Sequence, residues 1–175
     1  SVGSDKSERL PAAVWLLAGI AMLSGAGMQA TNVYLPLFAV ESLGYGLIVG
    51  GLTAGVIGTV GVASRIYWSR RLQAGARPTT LLLIIFVGAV ASGLALLIAD
   101  LAGARALLWI GAVLLGASSL GVSVVVNATI LQVISRARVG AATGITSMGM
   151  FVGFAAGPII MGVVRDLTGD FWLGW

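Results

Sequence analysis

The chain contains no cysteine and no histidine. Those absences remove disulfide frameworks, zinc and haem ligation through these side chains, and catalysis by a thiolate or an imidazole. Charge is almost as scarce, at 9% of 175 residues, ten basic and six acidic. A soluble domain carries about a quarter charged residues, so these few cannot cover the surface of a 17.7 kDa globule. There are only four prolines beside 26 glycines, with no G-X-Y period, which excludes collagen and does not suit a disordered tract. What is abundant is apolar: hydrophobic residues make up 58%, and mean hydropathy is +1.05. The solvent for most of this chain is lipid.

A net charge of +4 and a pI near 10.4 resemble a nucleic-acid binder. The charges, however, fall in short clusters between apolar runs, which is how a membrane protein encodes topology. No nucleic-acid partner is expected. Charge-free stretches cover 10–40, 42–64, 78–99, 106–135 and 139–164. A helix needs about 20 residues to cross the hydrocarbon, so each stretch suffices for one crossing and none for two. Spanning strands would alternate in polarity, and these do not. The expected fold is an all-α integral membrane domain over 1–175, with helices near 12–35, 44–65, 79–99, 106–130 and 141–164.

Basic residues orient the bundle. Lys6, Arg9, Arg65, Arg70, Arg71, Arg77, Arg136 and Arg138 fall on one side; Arg105 and Arg165 fall on the other, with Glu41, Asp100, Asp166 and Asp170. Positive-inside places the first side, with the N-terminus, in the cytoplasm. The five tryptophans lie near expected span ends, where amphipathic rings prefer the interface. An odd number of spans ending in Phe171-Trp172-Leu173-Gly174-Trp175 suggests that a sixth begins there, and that the chain is a piece of a longer polypeptide.

Between helices in lipid, small residues four apart permit close approach. The second span carries Gly46, Gly50, Gly51, Gly55 and Gly58; the fifth carries Gly149, Gly153 and Gly157, followed by Pro158 and Gly162. Both rows are expected to pack tightly, as static glue or as moving contacts. Buried polarity is costly in a membrane, which makes intramembrane polar groups functional candidates. In the first span Gly25, Gln29, Asn32 and Pro36 share a face. In the fourth, Ser119, Ser123 and Asn127 recur every four residues; in the fifth, Thr143 and Ser147 form a polar pair. Interhelical bonding and cavity lining remain equal alternatives for the amides, while a serine or threonine also bonds its own helix. No charge lies at the centre of a span, so neither a proton relay nor a catalytic acid/base pair is encoded at depth. An enzyme is unattractive, and neither metal nor cofactor is expected. A channel would want a pore-lining ring or re-entrant loop, and neither is visible. A non-transporting membrane scaffold stays open as the alternative to a transporter.

Three segments resemble the C-terminal half, spans seven to eleven, of a major facilitator superfamily transporter. They are Arg65-Ile66-Tyr67-Trp68-Ser69-Arg70-Arg71 with Gly75-Ala76-Arg77-Pro78, then Arg138-Val139-Gly140-Ala141-Ala142-Thr143-Gly144, and finally Gly157-Pro158, Gly162 and Asp166-Leu167-Thr168-Gly169. Asn32-Val33-Tyr34-Leu35-Pro36-Leu37-Phe38 is also similar to the family's span seven. Ser69 departs from the family, whose loop carries an Asp just before its basic cluster. The resemblance implies a six-helix bundle, here lacking its last span, and secondary active transport of a small solute by alternating access. It further implies an N-terminal half as partner and a multi-pass location in a bacterial plasma membrane. On that reading Gln29, Asn32, Tyr34, Ser119, Ser123 and Asn127 line the solute pathway. Gly51, Gly55, Gly149, Gly153, Gly157 and Pro158 serve packing or gating, and Arg65, Arg70 and Arg71 form a basic cytoplasmic loop that either latches the inner side or meets lipid headgroups.

Overall fold

The computed structural model describes residues 12–175, so the expectations for Lys6 and Arg9 lie outside the described residues. Five helices follow in order: α1 (Ala12–Glu41), α2 (Leu47–Gln73), α3 (Pro78–Ala102), α4 (Arg105–Val133) and α5 (Val139–Thr168), with a 3₁₀ turn at Arg136–Arg138 before α5. All five are long and apolar enough to cross a membrane, and no strand occurs among the described residues. The protein is an all-α membrane bundle.

The helices overrun the charge-free segments at their ends. Only the hydrocarbon-crossing part must be apolar, and backbone bonding continues until a breaker intervenes. α1 runs unbroken through Pro36 to Glu41. α2 runs to Gln73, so Arg65, Arg70 and Arg71 are helical and not in a loop, which corrects the sequence reading. Arginine is a good helix former, and its charge suits a helix C-terminus. Pro78 opens α3 at a position where its missing N–H costs nothing. Gly103 and Gly169 close α3 and α5 with left-handed φ of 62° and 77°, their N–H groups donating to Ala99 O and Arg165 O.

α5 lies along α1. A Cβ built at Gly149 would stand 2.6 Å from Ala18 O, and at Gly153 and Gly157 it would overlap the carbonyls of Met22 and Ala26. From the other side, a Cβ at Gly25 would stand 2.6 Å from Met150 O. The three glycines of α5 thus meet Ala18, Met22 and Ala26 at a constant four-residue step, backbone on backbone. The α2 row behaves differently. Gly50 packs under Pro36 and Val40 of α1, and Gly61 packs against Leu120, but Gly51, Gly55 and Gly58 face open space within this chain. The expected continuous contact row on α2 is therefore not formed by Gly51 and Gly55 here; helical rotation points them away from α1 and α4.

α4 is the hub for α2 and α3. Three of its carbonyls accept bonds from neighbours: Ser64 Oγ donates to Gly116 O (3.1 Å), Trp68 Nε1 to Ala117 O (2.9 Å) and Ser92 Oγ to Gly111 O (2.8 Å). Trp68 is buried and its ring lies against Gly121, so it bolts two helices together and is not an interfacial anchor as its position suggested. Trp15, by contrast, is 60% exposed.

Two apolar clusters close the bundle. One gathers Leu35, Phe38, Leu96, Leu108, Met161 and Phe171. The other gathers Val14, Trp68, Leu81, Ile85, Val125 and Ile130. Charge divides the same way. Among the described residues every carboxylate (Glu41, Asp100, Asp166, Asp170) lies at the end of the first cluster, while Arg65, Arg70, Arg71, Arg77, Arg136 and Arg138 lie at the end of the second.

Candidate functional site: a polar seam and an apolar groove

Helix α5 packs along α1 but scarcely touches α4. Where α4 and α5 face each other, Ser123 and Asn127 meet Thr146 and Ser147 around a space of about 30 Å³, closed by Ala21, Val122, Val126 and Met150. One water molecule needs roughly 10–15 Å³, so the seam has room for water and none for a solute. Ser123 Oγ and Thr146 Oγ1 donate back to their own helices, to Leu120 O and Ala142 O. Asn127, which is exposed, makes no side-chain hydrogen bond with another described residue. These α4 residues stand about 6–12 Å from the middle of their helix at 1.5 Å per residue, toward the basic end.

A larger space of about 440 Å³ opens between α1, α3 and α4. Its wall is mostly apolar, with Met28, Phe86, Leu97 and Val122 among the lining residues. Three buried polar atoms border it without a partner among the described residues: Ser24 Oγ, Ser119 Oγ and Trp175 Nε1. The Trp175 ring stacks on Phe171 at 6.1 Å and meets Phe38 edge-on at 5.1 Å.

The expected pathway residues therefore separate. Ser123 and Asn127 come together with Ser147 in the seam, while Ser119 goes to the groove. Their shared four-residue spacing hides this because a row drifts about 80° over eight residues at 3.6 per turn. Gln29 and Asn32 are half-buried and line neither space. Tyr34 departs from the expectation altogether. Its ring meets Phe171 at 6.4 Å and its hydroxyl lies over Gly162, which makes it part of the apolar core at the acidic end. Pro158 follows the last of the α5 contact glycines and sits within the helix without ending it. Ser24 and Thr146 were missed. Ser24 shares a face with Thr31 at i, i+7, a spacing visible in the sequence, whereas Thr146 carried no signal beyond its neighbour Ser147.

At the acidic end the two cations are engaged. Arg165 pairs with Glu41 and lies 5.1 Å from the Phe171 ring centroid, joining the ends of α1 and α5. Arg105 donates to Leu43 O at 2.9 Å and lies over Tyr45. No charged side chain lines the seam or the groove. The chemistry available there is hydroxyl and amide hydrogen bonding against apolar walls. Such groups can hydrogen-bond to neutral partners, and no activated nucleophile lines either space.

Compared with known proteins, residues 4–158 match the family model described as Major Facilitator Superfamily. No curated protein and no solved structure matches the chain.

Proposed function

Because the chain belongs to the Major Facilitator Superfamily, a family of membrane transporters, we propose that it forms the C-terminal half of a secondary transporter for a small uncharged or amphipathic solute. The observation that carries this reading is the polar seam between two helices that barely touch. Intramembrane polar groups are costly unless paired or wetted, and Asn127 has no partner among the described residues. The seam parts to admit solute, and Asn127, Ser123 and Ser147 then supply donors and acceptors to it. α5 moves with α1, to which its backbone is zipped. The basic end faces the cytoplasm of a bacterial plasma membrane. Two partners complete the machine. An N-terminal half faces Gly51 and Gly55, and a sixth helix fills the groove between α1, α3 and α4, covering its apolar wall and bonding Ser24 and Ser119.

A solute screen on the intact transporter, read by thermal shift and uptake, tests this. A solute that stabilises the wild type should bind Asn127→Leu about fivefold more weakly, since one hydrogen bond contributes about 1 kcal/mol. A membrane scaffold predicts no solute-dependent stabilisation and full tolerance of the substitution. That outcome would sink the transport reading.

A further inference from the structure

The basic end of the bundle holds positive charge that the described fold leaves uncompensated. Two connections distant in sequence meet there. The end of α2 and the turn after it contribute Leu72 and Ala76, and the α4–α5 junction contributes Ile134 and Val139, all to one apolar cluster. That packing gathers Arg70 and Arg71 in the last turn of α2, Arg77 in the turn that follows and Arg136 before α5 at the same end, with Arg65 one and a half turns up α2. All five are exposed, and none pairs with a described carboxylate. Holding like charges together at one end is unfavourable unless anions offset them. The acidic end shows the contrast, because both of its arginines are engaged within the chain.

We infer that this end is a binding surface for anionic phospholipid headgroups, with the arginines holding headgroup phosphates of the adjoining leaflet. Three observations select that partner. The cations among the described residues are all arginine, whose planar fork binds phosphate in bidentate fashion, where lysine acts as a point charge. Ile66 (52% exposed) and Tyr67 (53% exposed) stand between Arg65 and Arg70, so the charges adjoin an apolar surface as headgroups adjoin acyl chains. Clusters of this size beside membrane spans are drawn to anionic leaflets, each cation adding favourable energy near the surface.

The test reconstitutes the intact transporter in mixed phosphatidylglycerol and phosphatidylcholine vesicles. After detergent extraction, retained lipid is counted by mass spectrometry. Phosphatidylglycerol should be enriched over its share of the vesicle, and high salt should strip it. The triple variant Arg70→Gln, Arg71→Gln, Arg136→Gln should weaken retention roughly a hundredfold, at about fivefold per arginine. Circular dichroism and thiol labelling of a cysteine placed at Ser42 verify that the variant still folds and inserts in the same direction. Asp166→Asn, at the opposite end, should change nothing. Should the triple variant misfold, Arg136→Gln alone should still lower retention about fivefold. Retention equal to the bulk lipid ratio, or unaffected by these arginine changes, would overturn the inference. So would displacement by inorganic phosphate at a concentration matching the lipid, because the site would then recognise free phosphate and not a headgroup.

Discussion

Gly153 and Gly55 are chemically the same residue with opposite surroundings. A methyl group at Gly153 would overlap Met22 O, whereas at Gly55 it meets nothing within the chain. Gly153→Ala should therefore destabilise the chain by about 1–3 kcal/mol through overpacking, read as a lowered melting temperature in detergent. Gly55→Ala should be neutral or stabilising by up to about 1 kcal/mol. If the two variants melt alike, the backbone contact between α1 and α5 is not as described. Trp68→Phe offers a second test at this scale. It removes both the bond to Ala117 O and the part of the indole that lies against Gly121; a loss above the roughly 0.6–1.7 kcal/mol of one intramembrane hydrogen bond is expected. The fifth-span glycine row was legible from spacing alone, because GxxxGxxxG has one close-packing use in lipid. The role of Trp68 was not. A tryptophan near a span end reads as an interfacial anchor until the helix opposite shows a carbonyl within reach.

Among whole helices, α5 packs mainly on α1 and α4 mainly on α2 and α3, with the polar seam and the apolar groove between these groups. Introduced cysteine pairs can probe this without background, since the chain has no cysteine. Bridging Glu41→Cys and Arg165→Cys with a short bifunctional thiol reagent links two helices that are proposed to move together and should leave uptake unchanged. Joining Asn127→Cys to Ser147→Cys closes the seam and should abolish uptake until a reductant restores it. Free uptake with the seam locked would remove α4 and α5 from the pathway. The number and order of helices followed from charge-free runs, because the bilayer imposes a length that sequence cannot evade. Their ends did not follow, since Arg65, Arg70 and Arg71 are charged and still good helix formers, so charge marks the membrane boundary and not the end of the helix. The partition of polar residues was also hidden. Ser119 and Ser123 share a row in sequence, yet one borders the groove and the other the seam.

For the molecule as a whole, the family and the bundle type could be read from scarce charge, span spacing and a few loop motifs, because each is a local pattern. Which faces meet which could not, as periodicity is silent on the neighbour. Two expectations belong at this scale. Extending the chain by the segment we assign to the groove should raise its melting temperature, because Ser24, Ser119 and Trp175 gain partners; no change would place the sixth helix elsewhere. We propose that the α4–α5 seam opens to each side of the membrane in turn. The most direct measurement uses the intact transporter with a single cysteine at Ser147 and a membrane-impermeant thiol reagent applied from either side. Labelling from both sides is expected, with the ratio shifted by a transported solute. Labelling from one side only, insensitive to every solute that is taken up, would contradict it.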